Sequence, residues 1–142
     1  MTMMITYVVY GEPIGKGRPR FARRGAFTHA YTPEKTKTYE DEIRYMARAA
    51  MGASPPLETP VTVAIYIRTG IPTSFSKQKR KDALEGILKP TKKPDIDNIA
   101  KCFLDGMNDI VYLDDKQVVN LHITKVYAET PAVEVMVKED LG

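Results

Sequence analysis

The sequence is short of the residues on which many common chemistries depend. Cys102 is the only cysteine among 142 residues, so no intrachain disulfide can form and a four-cysteine zinc site is excluded. A reducing cytoplasm is the expected setting. Only His29 and His122 are present, and neither is paired with a recognisable nucleophile, so a serine or cysteine hydrolase has little support. His122 lies in a stretch of alternating character and reads as a sheet residue. The segment from Gly11 to Gly17 lacks the spacing and the Lys-Ser or Lys-Thr ending of a phosphate-binding loop, and no Gly-x-Gly-x-x-Gly occurs. Long apolar runs are missing too. Met3 to Val9 is too short to span a bilayer and follows no basic residue, so it is expected to be a strand rather than an anchor or a secretory signal. No repeat or low-complexity tract occurs.

What is present fits one soluble domain over residues 1–142, with 43% hydrophobic and 27% charged residues. The net charge of +3 conceals a segregation: residues 1–93 hold 17 basic and 8 acidic side chains, whereas residues 94–142 hold 4 and 10. That asymmetry suggests one surface for an anion and a separate acidic pocket. The competing reading is a chance division that folding erases.

A first strand is expected at 3–10. From Gly11 to Gly25, closely spaced prolines and glycines preclude a helix, leaving a basic loop or irregular hairpin. Thr32 followed by Pro33 reads as an N-cap and first helical residue, and Tyr39, Ile43, Met46 and Ala50 repeat at helical spacing, predicting a helix at about 33–51. Val61, Val63, Ile65 and Ile67 alternate with Thr62, Ala64, Tyr66 and Arg68, predicting a half-buried strand at 60–69. Ser76 can cap a short exposed helix at 76–86. A further helix opens at Asp95 or Asp97 and ends near Asn108, and strands at 118–127 and 132–138 are joined by a turn at 129–131. The fold class is α+β: a mixed or antiparallel sheet with helices packed on one face.

The most informative stretch runs from Pro94 to Val118. At about 100° per residue from Asp97, the side chains of Lys101, Asp105 and Asn108 fall within an arc of about 80°, opposite Ile99, Phe103, Met107 and Ile110. Asp95 lies at the helix entrance, and Asp114 and Asp115 lie where a loop or strand edge could fold back to the same place. Several carboxylates meeting at one point repel unless protonated or occupied by a cation. A hard divalent metal, magnesium above all, takes oxygen ligands and keeps waters, which leaves room for phosphate oxygens. Lys101 could then face the scissile phosphate. The plainer alternative makes Asp95 and Asp97 helix caps, residues 113–116 a turn, and Lys101 an i,i+4 partner of Asp97 or Asp105.

Lys16, Arg18, Arg20, Arg23 and Arg24 surround Phe21, a composition able to hold phosphates and stack on a base. Lys77, Lys79, Arg80, Lys81, Lys89, Lys92 and Lys93 form a second basic cluster. Either could be solvated surface; two clusters flanking an acidic pocket favour nucleic acid. Cys102 reads as packing, and Tyr112 as a pocket wall or a core residue.

Asp95-Ile96-Asp97-Asn98, Lys101, Asp105 and the run Tyr112-Leu113-Asp114-Asp115 with Gln117-Val118 resemble the RusA family of Holliday junction resolvases. The residues from Gly15 to Phe21, Tyr31 to Pro33 and Pro90 to Asp95 resemble a prophage-associated branch of it. The resemblance implies a homodimeric, magnesium-dependent endonuclease that nicks four-way DNA junctions symmetrically in recombination and repair. It places the essential carboxylates on Asp95, Asp97 and Asp115, with Asp114 adjacent as a further ligand, and the essential lysine on Lys101. The basic segments are expected to track phosphate backbones through Lys16, Arg18, Arg20, Arg23, Arg24, Lys89, Lys92 and Lys93. Two departures stand out: the segment from Asp97 to the last aspartate pair is a residue shorter, and lysines replace an arginine run before Asp95. A non-catalytic DNA-binding module and a metal-dependent hydrolase of another nucleic acid are the alternatives.

Overall fold

In three of the strands apolar residues alternate along the chain and one side is buried. In the computed structural model, which describes residues 3–17, 20–24, 27–31 and 34–142, the chain forms β1 (Met4–Tyr10), β2 (Arg20–Arg24), β3 (Phe27–Tyr31), α1 (Glu34–Met51), β4 (Val61–Gly70), α2 (Lys77–Leu84), α3 (Ile96–Gly106), β5 (Val118–Ala128) and β6 (Ala132–Glu139). For β2 and β3 the description is of the backbone, which pairs as an antiparallel ribbon with Arg20 opposite Tyr31 and Arg24 opposite Phe27. The proposed cap at Thr32 and Pro33 lies outside the described residues.

The main sheet has the order β1-β6-β4-β5. β4 runs antiparallel to β6 and parallel to β5, so the sheet is mixed. Parallel neighbours need a crossover, and α2 and α3 lie in that connection. The turn at 129–131 does not make a hairpin: β6 leaves β5 at the edge, crosses the end of β4, and inserts between β4 and β1. This places the apolar β4 in the middle, with Ile65 opposite both Ile123 and Val135.

Val61, Val63, Ile65 and Ile67 of β4, Val133, Val135 and Val137 of β6, and Ile5, Tyr7 and Val9 of β1 face a single core. α1 covers it with Tyr39, Ile43, Ala47 and Met51, and α3 with Ile99, Cys102 and Phe103. The Phe103 ring lies 6.5 Å from that of Tyr7 and meets Tyr39 edge-on at 5.7 Å. Helices and sheet thus pack as expected, with α1, α3 and α2 on one side and Tyr66, Arg68, His122 and Glu134 on the open side.

α1 and α3 approach closely at Gly106, where an added Cβ would come within 2.9 Å of Ile43 Cγ2. Arg44 donates to the carbonyls of Gly106 at 3.3 Å and Asn108 at 3.5 Å, closing the end of α3 and placing a cation where the helix dipole favours one. Among the described residues no helix is long and apolar enough to cross a membrane.

Candidate active site

α3 is amphipathic in the sense its spacing demands. Ile99, Cys102, Phe103 and, beyond its end, Met107 are buried, while Asp97 and Lys101 face outward. Burial pushes the Cys102 thiol up to about 12, which leaves it protonated and inert. Its place in the core is deeper than the margin suggested by the helical spacing.

Asp95 occupies the N-cap position with extended backbone, yet its side chain makes no capping bond. Its carboxylate is exposed at the helix mouth rather than bound to the backbone. Asp114 behaves in the opposite way. Its side chain accepts from the Lys116 amide at 2.9 Å while Gln117 Oε1 accepts from the Asp114 amide at 3.0 Å, a reciprocal cap over the short 3-10 turn Asp115–Gln117. The bond from Lys116 holds the Asp114 carboxyl below the ordinary aspartate value.

The loop after α3 is tied back to it. Tyr112, fully buried, donates its hydroxyl to the Leu104 carbonyl at 2.8 Å, and Gln117 Nε2 donates to the carbonyls of Leu57 and Thr59, each at 2.9 Å. These bonds turn Asp115 toward α3. Tyr112 is therefore core with a polar tether.

The result is a cleft of about 390 Å³ in which Asp97, Lys101, Asp105 and Asp115 converge over a floor that includes Leu104, Leu121 and Ile123. Asp95 and Asp114 are not among its lining residues. Asp115 is held above the ordinary aspartate value by burial first, then by the adjacent Asp114 and Asp105 carboxylates, with Lys101 acting in the other direction. Negative charge at the cleft is thus incompletely balanced.

Asp105 is the residue whose role the sequence left unassigned. It receives Lys101 Nζ at 3.3 Å and Lys16 Nζ at 3.1 Å. Lys16 also bonds Glu40 of α1 at 3.0 Å. Burial alone would lower the Lys16 pKa, but its bonds to Glu40 and Asp105 outweigh that and raise it above the ordinary lysine value. Lys16, expected at a phosphate, is instead engaged by two carboxylates because the loop before it lies against α3. Its amide donates to the Asn98 carbonyl at 2.8 Å, and a Cβ on Gly15 would stand 2.8 Å from that of Asn98. The four-residue spacing from Lys101 to Asp105 was the available signal for this node.

The remaining basic candidates divide. Lys89, Lys92 and Lys93 are exposed in the segment before α3, which Lys125 anchors by donating to the carbonyls of Lys92 at 2.9 Å and Pro94 at 3.0 Å. Arg20, Arg23 and Arg24 fall on β2, and Arg18 lies outside the described residues.

Among the described residues no three acidic, histidine or cysteine side chains are grouped so as to hold a metal ion by themselves. The donor chemistry nonetheless fits a hard divalent cation of the kind that takes one or two carboxylates and completes its shell with water and phosphate. Asp97 and Asp115 share the cleft, and among the described residues neither has a lysine or arginine within 4.0 Å.

The chain is 40% identical over 139 residues to a Bacillus subtilis (strain 168) protein bearing the name uncharacterized protein YqaN, a match covering 95% of this chain and 96% of the relative. The family model described as endodeoxyribonuclease RusA matches residues 10–138, a span that includes every residue lining the cleft. The chain belongs to the RusA endodeoxyribonuclease family.

Proposed function

We propose that this protein is a magnesium-dependent, structure-selective endonuclease that resolves Holliday junctions by paired symmetric nicks in recombination and repair. The observation that carries this reading is the convergence of Asp97, Lys101 and Asp115 in one cleft, together with membership of an endodeoxyribonuclease family. Asp97 and Asp115 would hold the ion, with Asp95 exposed at the adjacent helix mouth. Asp114 supports Asp115 by capping the turn that presents it. A bound magnesium ion supplies Lewis-acid activation of the phosphodiester.

Lys101, 54% exposed and bonded to Asp105, faces the scissile phosphate and stabilises negative charge as it develops. Asp105 orients that ammonium. Lys89, Lys92 and Lys93, with Arg18, Arg20, Arg23 and Arg24 of the hairpin region, contact phosphates and position the strand. A four-way junction has approximate two-fold symmetry, so a two-fold homodimer presents one cleft to each of two opposed strands. A single buried thiol is in keeping with a cytoplasmic setting.

The test is nicking of synthetic junction, duplex, flap and single-stranded DNA with and without magnesium. The junction is the expected substrate, and Asp97→Asn and Lys101→Ala each reduce the rate by at least about 100-fold, the scale of a lost transition-state electrostatic contact. Undiminished nicking by either variant removes the role assigned to that residue. Metal-independent, salt-sensitive binding with no strand cleavage would identify a binding module instead.

A further inference from the structure

α2 is an unusual helix for a small domain. Ala83 is its only buried residue, so it adds little to the core. Its inner side is nevertheless fixed. Lys79 Nζ lies 5.5 Å from the centre of the Phe75 ring, Phe75 meets Tyr127 of β5 edge-on at 5.7 Å, and Ser76 caps the first turn at 3.2 Å. The outer side is cationic. Lys77, Arg80 and Lys81 fall within an arc of about 100°, all exposed, and among the described residues none has a carboxylate within 4.0 Å. Asp82, the one acid of α2, is bonded by Gln78 at 2.9 Å.

β5 joins this helix to the cleft. Alternate residues of a strand share a side: Leu121 and Ile123 line the cleft, Lys125 anchors the Lys92–Pro94 segment, and Tyr127 carries Phe75. From Leu121 to Tyr127 the strand advances about 20 Å. Along one DNA strand that is about 6 nucleotides, at 3.4 Å each. Between the two ends stand the exposed Lys92 and Lys93.

We propose that the Lys77, Arg80 and Lys81 face of α2 binds the sugar-phosphate backbone of a duplex arm, about 6 nucleotides from the phosphate held in the cleft. The charge of the face, its lack of a carboxylate partner among the described residues and its continuity with the cleft along β5 select a polyanion leaving that cleft over an acidic protein surface. The proposal rests on the nuclease reading for the position of the scissile phosphate.

Hydroxyl-radical footprinting of a four-way junction, with arms longer than one helical turn and in EDTA buffer, tests it on the full chain. The wild-type protein is expected to protect the exchange point and a separate patch about 6 nucleotides along an arm. The triple variant Lys77→Gln, Arg80→Gln, Lys81→Gln loses only the distal patch. Its salt slope falls by about 2.7 per protomer, or 0.9 for each phosphate contact removed, and its melting temperature is unchanged. The charge-retaining pair Lys77→Arg, Lys81→Arg keeps the patch. An unchanged footprint and slope in the triple variant overturns the proposal, as does loss of the patch in the charge-retaining pair. Persistence of an α2-dependent patch in a protein that nicks no substrate would refute the nuclease reading and leave the α2 contact standing. Magnesium-dependent nicking with a patch insensitive to α2 would do the reverse.

Discussion

Replacing Lys16 with methionine separates an internal brace from a DNA contact. The Lys16 ammonium bridges Glu40 of α1 and Asp105 of α3 at 3.0 and 3.1 Å, with its side chain 22% exposed and those of its partners 20% and 22%. Methionine keeps the aliphatic stem and deletes both charge-assisted bonds. Two such bonds in a fully buried site would cost several kcal/mol; here Asp105 retains Lys101 and Glu40 gains water, so a loss of about 2 kcal/mol is expected. For a chain of this length that lowers the melting temperature by about 6 °C. Urea unfolding should show a reduced midpoint at constant m-value.

The pH dependence follows from the raised folded pKa of Lys16. The stabilisation is fully present below the unfolded-state lysine value and is lost as pH rises through the higher folded value, so the difference between variant and wild type stays constant from pH 6 to 9. A double-mutant cycle with Asp105→Asn should return a coupling of about 1 kcal/mol. DNA binding by Lys16→Met should keep the wild-type salt slope. Wild-type stability with zero coupling, together with a slope reduced by about 0.9, would refute the brace and return Lys16 to a phosphate.

Phe103→Ala removes a ring packed between Tyr7 and Tyr39 and should cost about 3–5 kcal/mol in chemical denaturation. Asp114→Ala should lower the melting temperature through the lost cap and reduce nicking less than Asp115→Asn does, as a parallel measurement of unfolding and junction cleavage will show. Asp140 bonds Asn120 at 2.6 Å and Thr62 at 3.0 Å, which hold its carboxyl below the ordinary value. That contribution is present above the unfolded aspartate value and is lost as pH falls through the folded one. The melting temperature of Asp140→Asn should therefore lie below wild type at neutral pH and converge with it in strong acid.

Periodicity alone makes most elements readable in the sequence. The strand expected at 60–69 is Val61–Gly70, and the helix expected at 33–51 is Glu34–Met51, because both carry an unbroken apolar stripe. Neighbour relations were not readable in the same way. The alternation in β6 states which side it buries but not which strand lies beside it, so the turn at 129–131 could not reveal that β6 skips β5 to pair with β4 and β1. The same limit applies to the aspartates. Asp114 and Asp115 are adjacent and chemically identical, yet one caps a turn and the other enters the cleft, a division made by backbone direction. Asp95 has the residue type and position of a cap without the bond. The Lys16 bridge joins parts of the chain separated by 24 and 89 positions, beyond the reach of any local pattern.

The connection from β4 to β5 has a mechanical consequence. α2, the lysine segment, α3 and the Asp115 turn all lie on one excursion whose two ends are clamped together by a single parallel ladder. Among the described residues β5 is the outermost strand and has no other neighbour in the sheet. Detaching that strand therefore strips Leu121 and Ile123 from the cleft lining in one event, while the β1-β6-β4 remainder keeps its own hydrogen bonds. The protection of β5 amides against solvent exchange is thus a direct gauge of how often the cleft exists as an assembled whole.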